Sequence, residues 1–320
     1  MENGTIKPKA SSLRWEILRQ ALFRRARLRS EEDAQSQIVD TKSISRKSNR
    51  GFNLIRCRLW NDDANQNSSS SSSTSCQSKD VTVCYTLPVE GSPQLFLSQR
   101  LKNLADLRDF EFCNEHDIDN TGLVCQWPSE DVLAYFCLKH ADMFRSKRVI
   151  ELGSGYGLAG LVIAAATEAT EVIISDGNPQ VVDYIERNIQ ANSQAFGGTR
   201  VKSLTLHWNQ DEISNISYAF DLIVASDCTF FKEFHKGLAQ VVKLLLKKVG
   251  STEAIFFSPK RGDSLDKFLE EIKENGLQFS ITENYDAEIW KRHQSFMNGN
   301  DSWPSYVKDH CYPLLVRIRR

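Results

Sequence analysis

Residues 148–160 read RVIELGSGYGLAG: a short apolar run, three glycines at alternate positions, then small and apolar residues suited to a helix. Five residues are too few for a buried helix but enough for a strand. Glycine adopts left-handed backbone without strain, so a G-x-G-x-G run can turn the chain sharply and expose its N–H groups. A strand–turn–helix of this kind needs a parallel partner strand, because its crossover returns to the same sheet. The sequence downstream supplies such partners. EVIISD at 171–176 is followed by a helix beginning near Pro179, where proline suits a first turn. VKSLTLHW at 201–208 and FDLIVASD at 220–227 read as strands, and FHKGLAQVVKLLLKK at 234–248 as an amphipathic helix. EAIFFS at 253–258 precedes a helix from Ser264 to about Asn275, and LQFSIT and YPLLVRIRR close the pattern. This alternation predicts an α/β fold with a mostly parallel, doubly wound sheet.

Upstream, FNLIRCRLW at 52–60, VTVCYTLPV at 81–89 and QLFLSQ at 94–99 alternate as half-buried strands do, predicting a small N-terminal sheet. The Ser-rich tract between the first two, at 61–80, cannot bury a core and is expected to be a loose loop. WPSEDVLAYFCLKH at 127–140 reads as a helix capped by Ser129, and residues 11–29 as a basic amphipathic helix followed by a polar linker. Three regions follow: 1–50, the β extension at 51–118, and the main domain at 119–320. Charge divides along the same line. Residues 1–60 carry 14 Lys and Arg against 6 Asp and Glu, leaving 26 against 35 in the remainder. A basic head of this kind is suited to an acidic partner. No apolar run approaches the roughly 18 residues of a membrane span. The eight cysteines stand singly, without a C-x-x-C pair, so no metal site is expected and reduced thiols in the cytoplasm or nucleus are the plain account.

In a doubly wound sheet the ligand binds at the carboxyl ends of the strands, where strand order reverses. Gly153, Gly155 and Gly157 stand there, but Leu158 occupies the position of a dinucleotide motif's third glycine. Glu151 precedes the turn by two residues. Its carboxylate would repel a pyrophosphate and favour a cationic ligand, which points to S-adenosylmethionine. Asp176, at the end of the second strand, is placed to accept from both ribose hydroxyls, although such an aspartate can equally cap the next helix. Trp208, at the end of the third strand, and Trp127 are candidate walls. The fourth strand ends in Asp227 and Phe230, a D-x-x-F turn. A carboxylate orients an ammonium and an aromatic face holds it by cation–π attraction, so the pair suits an amine acceptor. An aspartate capping a turn beside a packed phenylalanine is the competing account. With no histidine at that strand end, proton loss to water is expected.

The residues that carry these expectations resemble the seven-strand protein lysine methyltransferases with a D-x-x-[YF] motif. The likeness runs from Leu13 to about Ile318, interrupted by the Ser-rich tract. It is most specific in DNTGLVCQWPSEDVLAYFCLKH at 119–140, ASDCTFF at 225–231, FSPKRG at 257–262, ENYD at 283–286 and YPLLV at 312–316. The resemblance implies a Rossmann-like, seven-stranded class I methyltransferase sheet and trimethylation of one lysine of calmodulin. It further implies cofactor contact by Trp127, Gly153, Ser154, Gly155, Asp176, Trp208 and Ser226, and a substrate motif at Asp227 and Phe230. The protein is then expected to be a monomer with no nucleic-acid or membrane partner, its basic helix helping to recruit calmodulin. Three alternatives remain: a nicotinamide-dependent oxidoreductase, disfavoured by Glu151 and Leu158; a non-catalytic calmodulin-binding adaptor that retains the fold; and a methyltransferase acting on another protein.

Overall fold

The computed structural model describes residues 51–60, 80–100, 118–124, 127–208, 217–299 and 302–320. The basic helix expected at 11–29, the linker after it and the Ser-rich loop lie outside the described residues.

Strands β1 (Arg56–Trp60), β2 (Asp80–Thr86) and β3 (Gln94–Arg100) form a three-stranded antiparallel sheet. A single turn α1 (Thr121–Val124) and helix α2 (Pro128–Lys139) lead into β4 (Arg148–Leu152). Then follow α3 (Leu158–Ala166), β5 (Glu171–Asp176), α4 (Pro179–Ala191), β6 (Arg200–Thr205) and β7 (Leu222–Ser226). The chain continues through α5 (His235–Leu245), β8 (Glu253–Pro259), α6 (Ser264–Glu274), β9 (Gln278–Thr282), α7 (Ala287–Met297), α8 (Lys308–Cys311) and β10 (Pro313–Arg319).

The second sheet has seven strands in the order β6-β5-β4-β7-β8-β10-β9. Strands β4 to β8 pair in parallel, and β10 runs antiparallel between β8 and β9. From β4 the chain winds outward to β6, then returns to β7 on the other side of β4. The strand order therefore reverses between β4 and β7, which opens a crevice at their carboxyl ends. The apolar runs read as central strands are covered on both faces. Val149, Val224 and Phe257 pack under α2, α3 and α4 with the small sheet. Ile150, Ile223 and Phe256 pack against α5 and α6 on the other side.

Two asparagines, one in α4 and one at its C-cap, fasten the small sheet to the main domain. Ser98 N donates to Asn188 Oδ1 at 2.7 Å, and the Asn188 amide donates back to Ser98 O and to Tyr156 O. Phe96 exchanges the same pair of bonds with Asn192, one turn on. Side-chain amides thus satisfy an edge strand's backbone groups as a neighbouring strand would.

Three local expectations are corrected. The strand read as 201–208 ends at Thr205, so Trp208 lies beyond it. Ser129 does not cap α2: Trp127 is the N-cap residue and makes no side-chain cap bond, and Pro128 takes the first turn. Helix α7 was not foreseen. It is capped by Asp286, which accepts from Glu288 N and Ile289 N at 2.9 and 3.0 Å.

Candidate active site

A cavity of about 250 Å³ opens where β4, β5 and β7 end. Its floor is the glycine turn. Gly153, Gly155 and Gly157 have φ of 57°, 56° and 83°. A Cβ at Gly153 would lie 2.8 Å from Cys228 Sγ and 3.2 Å from Trp208 Cζ2, so any side chain would displace the wall. Ser154 also lines the cavity, and its hydroxyl is buried without a partner. An orphaned donor beside an open backbone cradle suits a polar ligand. Gly157 does not line the cavity. It is the N-cap residue of α3, and a Cβ there would meet Ile174 Cγ2 at 2.9 Å. Its expected ligand contact is corrected to a packing and turn role.

Asp176 lines the cavity at the end of β5. Its Oδ2 accepts from Gly155 N at 3.1 Å and its Oδ1 from Asn178 N at 2.9 Å, so it ties the glycine turn to the next loop. Burial raises its pKa to about 7 against the pull of those bonds. Asn178, rather than Asp176, caps α4. Glu151 differs from what was expected. It is 1% exposed, lies outside the cavity lining, and accepts from Gly160 N at 2.7 Å. Burial pushes its carboxyl up to about 8, so near neutral pH it is mostly uncharged. The charge argument built on Glu151 therefore fails: strand alternation turns this side chain toward the core under α3, not into the crevice.

Trp208 and Ser226 line the cavity. At the opposite end stand Trp127, Asp227 and Phe230. Asp227 has φ of 56°, a conformation that aspartate tolerates better than most residues. Its Oδ2 accepts from Ser129 N at 3.3 Å, near the N-terminus of α2, where a negative charge is favoured. Its Oδ1 forms a close ion pair with Arg261, whose side chain is 7% exposed. Arg261 Nη1 is buried without an acceptor. The guanidinium lies 4.9 Å from the Trp127 ring and 5.1 Å from Phe230, and those two rings are 5.5 Å apart.

Several site residues escaped sequence reasoning. Cys228 lies inside the quoted ASDCTFF stretch, and its thiol donates to Leu152 O at 3.2 Å under the turn. Phe231 and Phe234 extend the aromatic wall from Phe230 toward Trp208. His207 lines the far side, beside Gly177 and away from Asp227. Arg261 is contained in FSPKRG, yet its spacing from Asp227 carries no signal, because only strand pairing brings β7 and β8 together. Among the described residues, no cluster of His, Cys, Asp and Glu is placed to hold a metal ion.

Comparison with known proteins agrees with this arrangement. A family model described as lysine methyltransferase matches residues 113–275. A calmodulin-lysine N-methyltransferase from Arabidopsis thaliana is 62% identical over 309 residues, covering 97% of this chain and 96% of its own. The protein-lysine N-methyltransferase EEF2KMT of Mus musculus is 27% identical, over 49% of this chain and 50% of its own. The protein N-lysine methyltransferase METTL21A of Danio rerio is 28% identical, over 51% of this chain and 71% of its own. With a glycine cradle at one end of the crevice and an acid–aromatic end at the other, this chain belongs to the lysine methyltransferase family.

Proposed function

We propose that this protein transfers methyl groups from S-adenosylmethionine to a lysine side chain of calmodulin, up to the trimethylated state. One observation carries the reading: a single cavity joins the glycine cradle and Asp176 to Asp227 and Phe230. The residues present fit the cofactor. Gly153 and Gly155 leave the backbone open, Ser154 offers an unpartnered hydroxyl, Asp176 offers carboxylate oxygens to a ribose, and Trp208 offers a flat wall. When bound, S-adenosylmethionine supplies an electrophilic methyl group.

The protein's own residues align the acceptor and exclude water. Phe230, Trp127 and Phe231 form an apolar collar at the acceptor end, which suits an amine that gains methyl groups and loses hydrogen-bond donors. Asp227 presents a carboxylate to the same end. Calmodulin as the acceptor is supported by the 62% identity to a relative of that name, and by the basic first 60 residues, which suit an acidic partner.

The test is to incubate the purified protein with S-adenosylmethionine and unmodified calmodulin, then map mass gain by peptide. One lysine-containing peptide should gain methyl groups. Calmodulin binding with neither cofactor binding nor mass gain would favour a non-catalytic adaptor instead.

A further inference from the structure

Arg261 sits in the turn between β8 and α6 and is held there under strain. Its φ is 45°, a left-handed conformation that favours glycine, and Gly262 follows at 67°. The backbone is pinned by Arg261 N donating to Asp309 O at 2.7 Å. The guanidinium points inward, ion-paired to Asp227 and set against the rings of Trp127 and Phe230, which also touch each other. These are the contacts a substrate ammonium would make: a carboxylate at one side and aromatic faces around it.

We infer that Arg261 is a positioning residue for the transfer, which compensates Asp227 and fills the cation place against Trp127 and Phe230, so that the acceptor lysine is held as a neutral amine. The inference rests on the lysine methylation proposed above. A free lysine is charged at neutral pH, and a charged amine has no lone pair with which to attack. The proton goes to solvent as the side chain enters, and the lone pair it uncovers is the nucleophile. Without Arg261 the surroundings favour the charged form. Asp119, Glu130 and Asp176 line the cavity and Asp227 would stand uncompensated, while burial keeps Glu151 and the Cys228 thiol neutral. The other neighbours do not substitute: Lys260 is exposed, and Asp309 and His310 meet Arg261 through their backbone oxygens.

The experiment is the pH dependence of kcat with S-adenosylmethionine and unmodified calmodulin, for the unaltered protein, Arg261→Gln and Arg261→Lys. For the unaltered protein, the acid limb is expected at least about one unit below the ~10.4 of a free lysine. Arg261→Gln raises that limb by about one unit or more, so kcat at pH 7 falls about tenfold while KM does not rise. Arg261→Lys keeps a charge at the site and returns the limb toward its original position. An unmoved limb in Arg261→Gln, or a loss that resides only in KM, overturns the inference. If Arg261→Gln does not fold, the unaltered protein decides: a limb near 10.4 overturns it. Turnover with an unmoved limb sinks this inference alone, whereas no turnover by the unaltered protein sinks the proposed function with it.

Discussion

Replacing Asp227 with asparagine separates the charge of the buried pair from its shape. Asparagine tolerates left-handed backbone as aspartate does, so φ of 56° adds little new strain. Its amide oxygen can still accept from Ser129 N. What remains is the Arg261 guanidinium, 7% exposed, facing no compensating charge. Removing one partner of a buried ion pair costs about 3–5 kcal/mol. In a domain of this size each kcal/mol lowers Tm by about 2–4 °C, so a fall of roughly 6–20 °C is expected. Adding Arg261→Met removes the stranded cation while keeping an apolar stem against Trp127 and Phe230. The double variant should regain at least half of the lost stability. Methyl transfer should stay lost in both, since the carboxylate is gone. The assay is urea unfolding of the unaltered protein, Asp227→Asn, Arg261→Met and the double variant, which yields the coupling energy directly. A loss below about 1 kcal/mol in Asp227→Asn, or a double variant no more stable than the single one, would refute the buried-pair account.

Gly153→Ala sets a Cβ against Cys228 and Trp208 at a positive φ. Strain and overpacking together cost about 2 kcal/mol or more, so calorimetry should find S-adenosylmethionine binding weakened roughly 30-fold, with the fold retained. Asn188→Ala removes the exchange with Ser98 and should speed hydrogen exchange at Ser98 N well before the main sheet responds. Glu151 bears on pH. Its folded pKa of about 8 lies above the ordinary carboxyl value of 4.5, so the folded state holds a proton that the unfolded state has lost between those limits. Its contribution is fully present below about pH 4.5 and declines as pH rises to about 8, by at most about 1.4 kcal/mol per unit. Glu151→Gln should flatten that part of the stability–pH curve; an unchanged slope would show that Glu151 is not a protonated buried carboxyl. Asp176, raised to about 7, predicts that S-adenosylmethionine binds more tightly as pH climbs through 7, and that Asp176→Asn removes this dependence.

The strands, their order of appearance and the glycine turn were legible because period and turn chemistry are local. A buried parallel strand must be apolar along its length, and a left-handed turn favours glycine. Trp127, Gly153, Ser154, Gly155, Asp176, Trp208, Ser226, Asp227 and Phe230 do converge on one cavity: most stand at or just past the ends of strands that the sheet aligns, and Trp127 comes in at the start of α2. Helix α7 was missed since its apolar positions are few and its face is set by distant aromatic residues, Phe52, Trp303 and Tyr312, with Ile289 and His293 buried.

What the sequence by itself determined was the doubly wound sheet, from the alternation of strands and helices, and the place of the crevice, from the glycine turn that ends its first strand. Only the tertiary structure decided which way Glu151 faces and what stands opposite Asp227. Glu151 lies two residues from the cavity floor, yet alternation along β4 turns it under α3, where burial removes its charge. Arg261 lies 34 residues beyond Asp227 and reaches it because β7 and β8 pair in parallel. Electrostatic partners of this kind are set by strand order, which no local pattern encodes.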